Sequence, residues 1–337
     1  MLYDVWAQSD VRSVGDAHAK LRCLAAQLAR GDESAREQHR TIVSSAQGRR
    51  QPSQYNTMIA EQSRRMDALG IRVPEPPPPG LLPGVYAFLQ FQFTLATPYL
   101  SKDDELFHVC DNPLRKDRVF KVPIVSAAAW KGLLRWAATK ALVDSRAECD
   151  DDEFSQRRLQ LTRLFGNEND LDPRDGDRLS AYLDDVRPGA ASLYRRGLAR
   201  LAKDGFLAGR LFFYPTFFDR MDVLVINPHD RKTKAGTKPI FFECAPAEAA
   251  GTFSVLYASF EDAERAEEEG LECCSDLHLL AQAMILLFLR YGFSAKRTSG
   301  FGVVRKDTPG TLYTWRREGR FQELTRLPEV IDGVFAQ

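Results

Sequence analysis

The run Pro74-Glu75-Pro76-Pro77-Pro78-Pro79-Gly80 restricts this chain more than any other feature. Proline fixes φ and lacks an amide donor, so five prolines in seven residues can neither continue a helix nor sit inside a sheet. The run reads as a stiff extended linker. It divides the 337 residues into a first part, 1–80, and a second part, 81–337, long enough for a sizeable core. Hydrophobic residues at 44%, charged residues at 27% and 21 Phe fit a globular protein and exclude a disordered or fibrous one.

Before the linker, about 11–69 is rich in Ala, Arg, Gln and Glu, and Leu21, Leu24, Ala25 and Leu28 recur at helical spacing. A helical N-terminal extension follows from that. After the linker, 85–95 alternates, with Phe91, Phe93 and Leu95 against Gln90, Gln92 and Thr94, the period of a strand. Polar residues of mixed charge over about 99–121 read as a projecting loop or hairpin. Ser126 is an N-cap for a helix over 126–142 that carries Trp130, Leu133, Leu134 and Ala137 on one face. The acidic runs between Asp144 and Asp185 mark a solvated insertion, about 144–205. Strand patterns return at 211–218, 223–226, 240–243 and 252–260, then an apolar helix at 277–289, a Gly-rich turn and a strand at Val303-Val304. The order predicts an α+β fold, an antiparallel sheet with helices on one face, of ferredoxin-like or RRM-like type with large insertions.

Lys plus Arg (46) balance Asp plus Glu (46), yet the charges are segregated, so a polyanion partner is not excluded. The six cysteines form no CxxC pair, which argues against a zinc knuckle or a disulfide framework and for a reduced, cytoplasmic protein. Neither a basic-then-apolar leader nor about 18 uninterrupted apolar residues is present, so no membrane partner is expected.

Three segments carry chemistry. In the first, Asp111-Asn112-Pro113 and the cations Arg115 and Lys116 precede a helix bearing Lys131 and Arg135, an i, i+4 pair near an N-terminus that attracts anions. On spacing alone, Lys131 and Arg135 read first as residues that solvate the outer face of a helix. In the second, Tyr291 to Lys306, glycines permit close backbone approach, Lys296 and Arg297 add charge, and Phe293 and Phe301 offer stacking faces. Arg290 to Lys306 contains no acidic residue, and no GxGxxG fingerprint is present. A plain helix-to-strand turn accounts for this segment as well. The third is Asn227-Pro228-His229, a turn whose histidine either serves as base or ligand or is a structural residue.

Taken in order, Asp111-Asn112-Pro113, Lys131-Gly132-Leu133-Leu134-Arg135, Leu164-Phe165-Gly166 and Gly292 to Gly302 resemble the RAMP superfamily of CRISPR-associated proteins. The likeness is to backbone-type, ferredoxin-like subunits of type III effector complexes and covers about 85–307. Such subunits have small hydroxyl residues before the Lys-Gly pair, where this chain has Ser126-Ala127-Ala128-Ala129-Trp130. The Asn-Pro-His segment is similar to that of subunits capping the filament, and the helical region before Leu81 has no counterpart.

The resemblance implies a guide-RNA-binding subunit whose 99–121 loop acts as a thumb and whose Asp111 promotes cleavage of guide-paired target RNA with a divalent metal, Mg or Mn. Lys131, Arg135, Lys296, Arg297, Ser299, Gly300 and Phe301 would contact the guide, with Arg115 and Lys116 near the scissile phosphate. Partners would be CRISPR guide RNA, target RNA, other RAMP subunits and the large subunit of a type III complex. A noncatalytic capping subunit is the alternative. A guide-processing endonuclease would instead need His108 or His229 beside the RNA.

Overall fold

The computed structural model describes residues 10–44, 51–78, 80–82, 84–104, 108–167, 179–202, 207–227, 236, 239–259 and 266–336. His229 and most of the third segment lie outside them.

Strand β1, Tyr86–Thr94, is the centre of a five-stranded antiparallel sheet. Its period-two pattern sends Ala87, Leu89, Phe91 and Phe93 into the main core, where Phe91 lies 5.1 Å from Phe288 and 5.2 Å from Phe253. Gln90, on the other face, donates to the carbonyl of Pro74 at 2.8 Å, so the proline run crosses the sheet. A two-residue strand β2, Ile124–Val125, leads into helix α4, Ala127–Asp144, whose Ser126 hydroxyl accepts from the Ala129 amide. Strand β3, Leu211–Phe213, belongs to the large sheet, whereas β4, Thr216–Phe217, pairs with β2. Strands β5, Asp222–Ile226, and β6, Ile240–Cys244, form a separate hairpin. Strand β7, Ala250–Ala258, precedes a long helix α8, Ala266–Leu286, continued by a π-helical turn, Leu287–Tyr291. Strands β8, Asp307–Thr314, and β9, Glu318–Glu323, and a helix α9, Leu327–Phe335, complete the chain.

The sheet order β3-β7-β1-β8-β9 holds a ferredoxin-like unit. Strand β1, helix α4, strands β3 and β7, helix α8 and strand β8 give the βαββαβ sequence, all neighbours antiparallel, with β9 added at one edge. Helices α4 and α8 pack together over one face around Trp130, Phe253, Phe288 and Phe293. Trp130 is fully buried and donates its indole N–H to Thr216 at 3.0 Å.

Residues 269–291 are long and apolar enough to cross a membrane, although polar residues interrupt the apolar run. The apolar face here covers the sheet, and the helix buries Asp276. That carboxylate accepts Arg163 at 2.6 and 2.9 Å and the Tyr257 hydroxyl at 3.0 Å. Burial, then Asp276, push the Tyr257 phenol well above its ordinary range.

The stretch expected to be a solvated acidic insertion is largely packed helix. Helices α5, Asp151–Phe165, α6, Leu179–Val186, and α7, Pro188–Leu201, form a bundle against α4. Asp150 caps α5, and Asp151, Asp152 and Glu153 occupy its first turn, where negative charge is favoured. The acidity marks a helix start, while Phe154, Leu161, Leu164 and Phe165 join the main core. Fully buried Arg158 pairs with Asp184 at 2.7 Å and stacks on Tyr194 at 3.9 Å. The second acidic run, Asp170 to Asp177, lies outside the described residues.

Helices α1, Ala17–Ala29, α2, Ser34–Val43, and α3, Gln54–Ala68, make up the N-terminal extension. They are docked on the second part. Tyr55 donates to the Lys121 carbonyl at 3.0 Å, and Asn56 exchanges two hydrogen bonds with the Met221 backbone at 2.8 and 3.1 Å. Leu24, Tyr55, Ile59 and Met66 belong to the same core cluster as the sheet.

Candidate functional site

Helix α4 and the Gly-rich loop meet. Trp136 of α4 receives the Arg297 guanidinium 3.9 Å from its ring centroid and the Tyr291 ring, edge-on, at 5.3 Å. Lys131, half-buried, and Arg135 lie on the same helix one turn apart. Arg135 donates to the carbonyls of Gly166 and Asn167 at 2.6 and 2.7 Å, so it satisfies the C-terminal end of α5. The Lys-Gly-x-x-Arg and Leu-Phe-Gly motifs are therefore joined physically. Gly166, at φ +83°, allows this end to approach the backbone of Gly209, whose amide is 3.2 Å from where a Cβ would be.

Two glycines of the loop serve its own closure. A Cβ on Gly292 would fall 2.2 Å from the Phe301 carbonyl, and one on Gly302 would fall 2.6 Å from the Ser294 amide. Phe293 is buried and in ring contact with Tyr99, Trp130 and Phe288, so it offers no free stacking face. Phe301 is half-buried against the small cluster of Leu100, Phe242 and Cys244. Lys296, Ser299 and Gly300 are exposed on a short turn. Lys296 adopts the left-handed conformation at φ 59° and sets its ammonium 5.1 Å from the Phe242 ring.

The described part of the loop carrying Asp111 packs on the β5–β6 hairpin; residues 105–107 lie outside the described ones. Asn112 bridges Phe242, the Asp103 amide donates to the Pro113 carbonyl, and the Leu100 amide donates to the Ser294 hydroxyl oxygen, which places loop, hairpin and Gly-rich turn around Phe242. The cause is Glu243, a carboxylate 3% exposed. It accepts the Leu114 amide at 3.0 Å, His39 Nε2 of the extension at 2.8 Å, and the Lys116 ammonium. Burial alone would raise the Glu243 pKa; the attraction of Lys116 and then His39 overturns that and holds it well below the carboxylate range. Lys116, expected near a phosphate, is instead turned inward and 6% exposed.

Asp111 itself is half exposed, and Arg36 of the extension reaches it at 3.4 Å while also pairing with Glu33 at 3.1 Å. Arg115 stays at the surface, 3.6 Å from Asp104. Neighbouring Cys110 is buried, its thiol pushed up to about 12 by burial and then by Glu243, and so is no nucleophile near neutral pH. His108, His18 and His39 line a cavity of about 20 Å³ with Lys116 and Glu243, room for one water and none for a nucleotide. Among the described residues, the group of ligand-type side chains close enough to share a metal ion is Cys274, His278 and Asp332, on α8 and α9. Asp111 offers a lone carboxylate, which suits an ion of the Mg type that draws its other ligands from water and substrate phosphates.

The sequence missed Arg36, His39, Glu243 and Trp136. No local signal marks the first three, since their partners come from distant segments, whereas Trp136 was visible as an aromatic one position past Arg135.

Fold and site together define an α+β protein with a ferredoxin-like core and a cationic helix-and-loop face. The chain belongs to the RAMP superfamily, whose family model matches residues 92–305. No curated protein matches it. Among solved structures, it is similar to a chain in the cryo-EM structure of the type III-B Cmr-beta bound to cognate target RNA, at 12% identity over 80% of this chain and 67% of the other, TM-score 0.38. Likenesses to a chain of a CRISPR RNA-guided surveillance complex (12% identity, 67% and 68%, TM-score 0.38) and of the Csm3-Csm4 subcomplex of a type III-A interference complex (12%, 75% and 98%, 0.36) are of the same order.

Proposed function

We propose that this chain is a guide-RNA-binding subunit of a type III CRISPR effector complex, assembled with other RAMP subunits and the large subunit. The observation that carries the reading is the stacking of Arg297 on Trp136, which makes one surface of two segments far apart in sequence. There Arg297, with Lys296 on the same turn, would offer charge to a ribose-phosphate strand, Ser299 and Gly300 an open turn, and Lys131 further charge from the same helix as Trp136. Arg135 supports it from behind through the α5 carbonyls. Base pairing would supply specificity, as in other RNA-guided effectors.

The same reading makes Asp111 the group that promotes cleavage of target RNA. Asp111 would hold a divalent ion, Mg or Mn, and the ion would supply charge stabilisation at the phosphate and a lowered pKa for a bound hydroxyl. Arg36 and Arg115 would set positive charge on phosphoryl oxygens at the same place. In a reconstituted complex with guide and complementary target RNA, Asp111→Ala should retain assembly and abolish the cut at the position this subunit contacts. Unchanged cleavage would remove the catalytic part. Lys296→Ala and Arg297→Ala should each flatten the salt dependence of RNA affinity by about one unit of slope.

A noncatalytic capping subunit is the second reading, favoured by the Arg36 contact on Asp111 and by the inward turn of Lys116. Target cleavage by the whole complex unaffected by Asp111→Ala, with assembly lost on deletion of residues 1–80, would select it.

A further inference from the structure

Beside the Arg297–Trp136 stack lies a cavity of about 370 Å³ between α4 and α6. Gly132, Arg135, Trp136, Thr139 and Lys140 line it from one stripe of α4, and Tyr182 closes it from α6. We propose that this cavity receives one unstacked base of the bound RNA strand; the inference rests on the RNA-binding reading above.

Four observations point to such an occupant. Trp136 and Tyr182 are 37% and 50% exposed, two large rings left open at one place. Trp136 lines the same space as Tyr182, while Arg297 and Tyr291, which contact the indole, are not among the lining residues. Neither charged residue of the lining is acidic, and with Arg135 held by the Gly166 and Asn167 carbonyls, Lys140 is the cation placed for a phosphate that arrives with a ring. Lys140 has Asp144 at 2.9 Å, a surface pair weak enough to yield to a phosphate.

Gly132 is the fourth. A glycine inside a helix is disfavoured relative to alanine, so packing usually explains it. Here no neighbour requires it, because nothing lies within 4 Å of where its Cβ would be. The helix leaves open space at that turn, directly before Trp136 one turn on. Flat rings beside cations at the edge of a phosphate-binding surface match the way single-stranded RNA is held, by stacking of splayed bases and charge on the backbone. A nucleobase fits such a pocket as a flat, polar-edged ring, within the size range of small-molecule sites.

The test uses the full-length chain and a labelled single-stranded RNA, alongside an abasic RNA of the same length. Trp136→Ala should weaken binding of the intact RNA about tenfold, and Trp136→Phe should restore most of it. Tyr182→Ala, on the opposite wall, should weaken it in the same direction, and thermal melts of all variants check that each is folded. The abasic RNA should bind wild type and Tyr182→Ala alike, because Tyr182 lines the cavity without belonging to the Arg297–Trp136 stack. Intact RNA bound equally by wild type and folded Tyr182→Ala, or an equal loss with both RNAs in that variant, would overturn the base pocket while leaving the RNA-binding reading standing. No RNA binding by the wild-type chain, alone or in the complex, would remove that reading and the pocket with it.

Discussion

Lys116→Met tests the buried anchor that joins the N-terminal extension to the Asp111 loop. Lys116 and Glu243 are 6% and 3% exposed at the side chain, and His39, the third member, is 4% exposed. Removing one partner of a buried ion pair leaves a charge without compensation and costs about 3–5 kcal/mol. That is a large share of the ~5–15 kcal/mol by which proteins of this kind are stable. The sign with pH follows from Glu243. Its folded pKa is depressed, so its contribution is present above the unfolded value, about 4.3, and is lost only as pH falls through the folded one. In the variant, burial persists and the strongest opposing attraction is gone, so the folded pKa rises, although His39 still holds it down in part. The deficit is then greatest at neutral pH and shrinks as the solution is taken to about pH 4 and Glu243 takes up a proton. Urea unfolding followed by tryptophan fluorescence at both pH values reads this directly. A loss under about 1 kcal/mol, or a deficit equal at the two pH values, refutes the argument. Combining Lys116→Met with Glu243→Gln, which keeps an acceptor for the Leu114 amide, should recover part of the loss.

Three further outcomes are expected. Gly292→Ala should cost about 3 kcal/mol or more in thermal melts, because the new Cβ meets a backbone carbonyl at a positive φ, whereas Gly300→Ala, with open space around it, should cost about 1 kcal/mol; equal costs would contradict the packing of the loop. Thr216→Val strands the buried Trp130 indole N–H and should destabilise by about 1–3 kcal/mol in urea titrations. Arg135→Met should lower stability by about 1–3 kcal/mol through its two lost carbonyl partners and leave the salt slope of RNA affinity unchanged, since a flatter slope would mean a direct phosphate contact.

How far the chain could be read in advance depended on whether the signal was local. The alternation at 86–94 and the Ser126 cap act within a few residues, and both elements stand where the pattern puts them. The Val303-Val304 strand shrinks to a single bridge between Leu95 and Val304, and β8 begins at Asp307. Strand β8 contains Pro309 and Gly310, residues that ordinarily argue against a strand; Gly310 is needed because a Cβ there would fall 2.4 Å from Phe321. Helix α9 went unread although Leu327, Ile331 and Val334 lie at helical spacing.

The sequence by itself determined strand β1, the capped helix α4 and the stretches that carry charge, because periodicity and caps act between near neighbours. Only the tertiary structure decided which charges face outward. Lys116 and Arg297 are both basic residues beside a loop, yet the first is drawn inward by Glu243 and the second lies on Trp136. Each destination depends on a partner supplied by a segment far along the chain, and a charge goes inside only where such a partner compensates for lost water.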